Sequence, residues 1–284
     1  MTFSIVGFDP ESASWGIAVA SKFLAVGAMV PWGRAGAGAV ATQAMANLSY
    51  GPDGLGLLAE GFVADQVVSI LTEADDEHEH RQLGVVDAAG RGATWTGASC
   101  LDWAGGEAGD GYAAQGNILT GPEVVAAMVE AWHGGDDEVF PRRLVAALAA
   151  GDQAGGDRRG RQGAALRVWR AGASYGGVLD SAIDLRVDDH RAPVTELVRL
   201  LDLHDLYFGT PDPASLLPLE GALAAQVAAS LERLGYATAG GAKLAEALGR
   251  WAGTENFEER LVPGKLDPVV LVQLRRQAAE ASGA

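Results

Sequence analysis

The sequence predicts an α+β fold: two antiparallel sheets with helices packed outside them, followed by a small all-α domain. Three observations carry this expectation. Strand-like segments arrive in hairpin pairs separated by turn residues, helix-period segments arrive in blocks between them, and the turn-rich Gly209-Thr210-Pro211-Asp212-Pro213 opens a stretch that is alanine-rich and helical throughout. The domains expected are therefore 1–208 and 209–284.

The first strand is expected over 2–8, where Phe3 and Ile5 alternate with Thr2 and Ser4 until Asp9-Pro10 ends the run. A second, over 15–23, completes a hairpin. The small-residue stretch 27–46 lacks the third glycine and the lysine of a phosphate cradle and reads as strand packed closely against other backbone. Turn residues 50–54 lead into one helix over 55–71 with an apolar stripe of Leu55, Leu58, Phe62, Val67, Ile70 and Leu71. Strands 82–86 and 93–97 form a further hairpin, 100–106 reads as loop, and 112–119 as a strand bearing Gln115 and Asn117. Helices over 122–132 and 141–150 precede a glycine- and arginine-rich loop, strands 164–170 and 182–187, and a helix over 193–207. Helices 220–234, 240–251 and 267–281 make up the remainder.

Composition narrows the function. At 284 residues with 48% hydrophobic content the chain can bury a sizeable core, and 39 glycines without a triplet period fit strands and turns rather than collagen. A net charge of −16 repels phosphate backbones, which argues against nucleic acid as a partner. The single cysteine, Cys100, excludes an intrachain disulfide and a cysteine-based zinc cluster. No apolar run reaches the roughly eighteen residues of a membrane span and no secretory leader is visible, so a cytoplasmic protein with no membrane partner is expected.

Thr2 draws attention because initiator methionine is normally removed before so small a residue. Thr2 would then carry a hydroxyl beside its own α-amine, whose reference pKa of about 7.7 to 8.0 suits it to accept the hydroxyl proton. Lys22 is placed to lower that pKa by charge repulsion. Ser4 shares a face with Thr2 and could orient the amine, or act as nucleophile if Met1 is retained. Ser21 flanks Lys22 and could bond to the amine.

The opening Thr2 strand, its hairpin and Gly16-Ile17-Ala18-Val19-Ala20-Ser21-Lys22 resemble the first strands of the N-terminal-nucleophile (Ntn) hydrolases. More closely, the chain is similar to domain-of-unknown-function family 1028. The match is carried by Ala41-Thr42-Gln43-Ala44, Ser49-Tyr50-Gly51-Pro52, His80-Arg81-Gln82, Gln115-Gly116-Asn117-Ile118-Leu119, Gly156-Asp157-Arg158-Arg159-Gly160 and Asp184-Leu185-Arg186-Val187-Asp188-Asp189, among other blocks in order. Residues 219–260 resemble a peptidoglycan-binding-like helical module.

The resemblance implies a four-layer αββα Ntn-hydrolase-like sandwich and an amidohydrolase that cleaves a small amide by acyl transfer to Thr2, with no cofactor. It also places Gln43 and Asn47 near the active centre and makes Asn117 an oxyanion donor, where the bland alternative is an asparagine capping its own turn. The aspartate that supports the threonine in proteasome subunits is missing from the second strand here. His80 could reach the cleft as acid or base. Arg158 and Arg159, with Arg161, would clamp a substrate carboxylate or else form structural ion pairs. His78 and His80 share a face and could hold a metal; a solvated acidic loop is the commoner outcome, and no metal is assigned. The rival class is a non-catalytic Ntn-like ligand- or glycan-binding protein; oligomeric state stays open, with a homo-oligomer among the partners considered.

Overall fold

The computed structural model describes residues 2–238 and 243–281, which divide into two compact units, 1–200 and 201–284. The fold is mixed α/β with antiparallel sheets and a helical C-terminal region. The first unit holds two sheets. Six strands run in the order β10-β9-β2-β1-β8-β7: β1 (Thr2–Asp9), β2 (Ser14–Ser21), β7 (Gly105–Gly109), β8 (Tyr112–Asn117), β9 (Gly163–Trp169) and β10 (Ser181–Val187). Four run in the order β3-β4-β5-β6: β3 (Pro31–Arg34), β4 (Gly38–Ala44), β5 (Arg81–Asp87) and β6 (Gly92–Thr96).

Alternation along each strand sets what meets between the sheets. Val6 of β1, Ile17 and Val19 of β2, Ala39 and Ala41 of β4, Val86 of β5 and Ala113 of β8 form one buried cluster there. Val40 of β4 and Leu83 and Val85 of β5 face the other way and pack with Leu58, Val67 and Leu71 of α1 (Tyr50–Ala59) and α2 (Ala64–Glu73). Helices α3 (Glu123–Gly134) and α4 (Phe140–Gln153) pack against the six-stranded sheet, α4 along β1, β2 and β9.

Several expected boundaries move, each for a local reason. The single helix expected over 55–71 is two, because Gly61 takes φ +94° and turns the chain between them. The stretch 27–46 holds a hairpin, β3 and β4, folded over Gly36 at φ +75°. Residues 105–109 pair with β8 as an edge strand whose first two residues fall in the loop expected over 100–106; three of the five are glycine and carry no periodicity. Strand β2 stops at Ser21, so Lys22 and Phe23 lie beyond it.

Where β6 meets the edge of the larger sheet, a Cβ on Gly92 would stand 1.9 Å from the carbonyl oxygen of Tyr112 and 2.7 Å from that of Gly109. Backbone cannot give way as a side-chain tip can. Gly92→Ala is expected to lower unfolding free energy by about 2 kcal/mol, the range of overpacked sites; a urea midpoint equal to wild type would show that β6 moves freely there.

The second unit gathers α6 (Gly221–Arg233), α7 (Lys243–Thr254) and α8 (Pro268–Glu280) around Val227, Leu231, Leu248, Trp251, Phe257 and Leu274. A short ribbon of β11 (Leu217–Pro218) and β12 (Lys265–Leu266) adds an element too brief, at two residues a strand, for any sequence periodicity to mark. The helix expected from Gly240 begins at Lys243 among the described residues; positions 239–242 lie outside them. Arg260 is buried and pairs with Asp267 at 2.7 Å while donating to the carbonyls of Leu206 and Asp205. The division between the units falls inside α5 (Pro193–Phe208), whose last turn contributes Leu206 and Tyr207 to the second core. Among the described residues no helix is long and apolar enough to cross a membrane.

Candidate functional site

Followed toward one end of the sandwich, the inner faces of five strands change from apolar to polar. Val6 gives way to Ser4 and Thr2 on β1, Val19 to Ser21 on β2, Ala41 to Gln43 on β4, Val86 to Gln82 on β5 and Ala113 to Gln115 and Asn117 on β8. All seven polar side chains are buried. Leaving such groups without partners costs about 1 to 3 kcal/mol each, so the site must be bonded throughout.

Gln82 is its centre. Its Oε1 accepts from Gln43 Nε2 at 2.8 Å and Asn117 Nδ2 at 2.9 Å, while its Nε2 donates to Thr96 Oγ1 and the Gly116 carbonyl, both at 2.8 Å. Ser4 Oγ donates to Gln43 Oε1 at 2.7 Å and accepts from Gln115 Nε2 at 2.6 Å. Gln115 needs the room left by Gly84, where a Cβ would come within 2.1 Å of its Oε1. Thr2 Oγ1 lies 3.2 Å from Ser21 Oγ, and the Thr2 carbonyl accepts from Gln43 Nε2 at 3.3 Å. Thr2 is 6% exposed, against 0 to 2% for the other six, so it stands at the network's open end.

Strain marks the same end. Ala44, directly after Gln43, has φ +68°, and Ile118, directly after Asn117, has φ +50°. For a β-branched residue this is a rarely occupied region, and such residues cost about 1 to 3 kcal/mol and gather at functional sites. The amides beyond are spoken for: Met45 N–H donates to the His80 carbonyl and Ile118 N–H to that of Leu101.

The structure sorts the expected site residues. Thr2, Ser4, Gln43 and Asn117 come together. Ser4 is fully buried with its hydroxyl both donating and accepting, which suits a support and leaves no room for attack on a substrate. Lys22 turns outward; its Nζ donates to the Arg161 carbonyl at 3.3 Å, while its N–H donates to buried Asp157 at 2.7 Å. Among the described residues its ammonium makes no hydrogen bond to Thr2. His80 is exposed on the short turn before β5, outside the network. His78 places Nδ1 2.9 Å from the Asp75 carbonyl and Nε2 3.2 Å from Glu79, so both nitrogens serve the loop. Among the described residues no three His, Cys, Asp or Glu side chains converge on one point. Arg159 is paired with Asp157 and Arg161 with Asp152, whereas Arg158 is exposed. Gln82 and Gln115 went unassigned in the sequence, although a glutamine on the inner side of an apolar strand is the available signal. The expected loss of Met1 concerns a residue outside those described.

Asn47 braces the loop after β4. Its Nδ2 and the Tyr50 hydroxyl donate to Asp75 Oδ2, each at 3.0 Å, as does Arg81 Nε at 3.0 Å. The Arg81 guanidinium holds the Asp75 carboxyl well below the usual carboxylate range, with Asn47, the Glu77 N–H and Tyr50 adding to the effect against burial. A depressed folded-state pKa stabilises above the unfolded value near 4 and loses that contribution as pH falls below it toward the folded value. Asp75→Asn is therefore expected to flatten the acid limb of a stability profile below about pH 4; an unchanged acid limb would sink the assignment.

A model of a family described as "Family of unknown function (DUF1028)" matches residues 2–197, and one described as "Putative peptidoglycan binding domain" matches residues 207–274. The crystal structure of protein SPO2555 from Silicibacter pomeroyi, described with the same DUF1028 model, is similar with a TM-score of 0.65 at 30% identity, over 79% of this chain and 92% of that one. No curated protein matches the chain.

Proposed function

The chain belongs to the DUF1028 family, and from that premise we propose that it is an N-terminal-nucleophile-type amidohydrolase that cleaves a small amide at Thr2. The observation that carries the reading is the hydrogen-bonded, strained polar end of an otherwise dry sheet interface, with Thr2 as its most exposed member. Seven polar groups displace apolar packing there, a local departure from a sequence's best packing that functional sites justify. The reading takes the two facing sheets and their outer helices as an Ntn-like αββα sandwich; the support is β1 opening on Thr2 at the centre of the six-stranded sheet.

In this reading removal of Met1 frees the Thr2 α-amine. The amine takes the hydroxyl proton as Oγ1 attacks the amide carbon, then passes it to the leaving nitrogen as the C–N bond breaks. Water cleaves the resulting ester and restores the hydroxyl. Asn117 stabilises the oxyanion: its Nδ2 sits 3.5 Å from the Thr2 carbonyl, too long to bind that oxygen well, which leaves an N–H for the intermediate. The reading keeps the protein in the cytoplasm, with no cofactor and no nucleic-acid partner.

Mass spectrometry of the intact protein tests the premise, together with turnover of a panel of N-acyl amino acids. A chain that retains Met1 and is inert on every amide would remove the enzyme reading. The match of residues 207–274 favours a second reading, an Ntn-like scaffold that binds glycan. Retention of the full chain by insoluble peptidoglycan, with no amide turned over, would select it.

A further inference from the structure

At the end of the sandwich where the polar network lies, β2, β4, β5, β6, β8 and β9 connect through 22–30, 45–49, 74–80, 97–104, 118–122 and 154–162. Three of these carry large apolar side chains held in solvent. Phe23, Leu24 and Met29 follow β2, Met45 and Leu48 follow β4, and Leu101 follows β6, each between 40 and 66% exposed. Single exposed apolar residues are ordinary; six on the connections around one buried polar site offer apolar area to a ligand there.

Charge adds a second feature. In a chain of net charge −16, the connections 22–30, 45–49 and 118–122 hold no acidic residue. The other connections hold Asp75, Asp76, Glu77 and Glu79 on 74–80, Asp102 and Asp157, of which Asp75 and Glu77 pair with Arg81 and Asp157 with Arg159. Of the three arginines in 158–161, Arg159 is paired with Asp157 and Arg161 with Asp152. Arg158 has no side-chain partner among the described residues, and its N–H donates to the carbonyl of Ile118, the residue after Asn117. A fixed backbone and an uncommitted guanidinium beside the network supply a fork for a carboxylate.

Resting on the hydrolase reading, we propose that the substrate is an amphiphilic N-acyl amino acid: its free carboxylate pairs with Arg158, and its apolar acyl chain lies on the rim of Phe23, Leu24, Met45 and Leu101. Both features sit on connections of the unit that holds Thr2.

The test uses the full chain and three probes below their micellar concentrations: N-decanoyl-L-alanine, N-acetyl-L-alanine and the carboxamide of N-decanoyl-L-alanine. Binding is followed by calorimetry, in wild type and in the Thr2→Ala variant so that turnover does not intrude. The decanoyl acid is expected to bind at least tenfold tighter than either other probe. Arg158→Gln should erase the preference for acid over carboxamide, and Leu101→Ser with Met45→Ser should narrow the preference for the longer chain, with melting curves confirming that these variants fold. Equal affinities, a carboxylate preference that survives Arg158→Gln, or binding of none of the probes would overturn the proposal. So would sedimentation showing a dimer that Leu101→Asp dissociates, because the rim would then be covered by a second copy. Arg158-dependent binding without turnover defeats the hydrolase reading alone; amide turnover indifferent to chain length and to Arg158→Gln defeats this inference alone.

Discussion

Thr2→Ala is expected to reduce amide turnover by about 10³-fold or more, the scale on which loss of a nucleophile is felt when the rest of a site remains. Alanine keeps the backbone carbonyl that accepts from Gln43 and gives up a single 3.2 Å hydroxyl contact to Ser21. The fold should therefore hold, with a melting temperature near wild type. Thr2→Ser is the informative partner, since it retains a hydroxyl and an α-amine and should keep measurable turnover. A Thr2→Ala enzyme within a few-fold of wild type on a cleaved amide would end the role of Thr2.

Gln82→Ala is expected to be the most damaging change to stability, by about 4 kcal/mol. Gln82 is fully buried, and its removal takes the shortest acceptor from Gln43 Nε2 and Asn117 Nδ2, leaving them contacts of 3.3 to 3.5 Å, while Thr96 Oγ1 and the Gly116 carbonyl lose a donor. Each group left short of a partner costs about 1 to 3 kcal/mol, and a cavity adds to the sum unless water enters. Gln82→Glu offers a contrast: the shape survives, but the two N–H donors are replaced by an oxygen facing the acceptors of Thr96 and Gly116. Chemical denaturation measures both, and a loss below 1 kcal/mol for the alanine variant would mean that the network tolerates a gap at its centre.

Much of this was legible in the chain. Thr2 stands out as a small hydroxyl residue next to the initiator methionine, Gln43 and Asn117 stand out through the family resemblance, and the hairpins and C-terminal helices follow from turn residues and apolar spacing. What escaped depends on distances across the fold. Lys22 is adjacent to Ser21 in sequence, yet its direction is decided by Arg161 and Asp157, more than a hundred residues away. Gln82 became the centre only because β5 pairs with β4 and faces β8, which no local pattern states. The break at Gly61 was hidden by an apolar stripe that runs on across it, and the edge strand over 105–109, with three glycines in five residues, had no alternation to announce it.

The switch from apolar to hydroxyl and amide groups along the inner faces also acts as a proofreader of strand pairing. Sliding β1 by one residue against β8 would push Phe3 and Ile5 among the glutamines and drive Thr2 and Ser4 beneath α4. Every amide in the cluster would then lose its mate together, so a misaligned central pair is penalised far more than the dry half of the interface alone could manage.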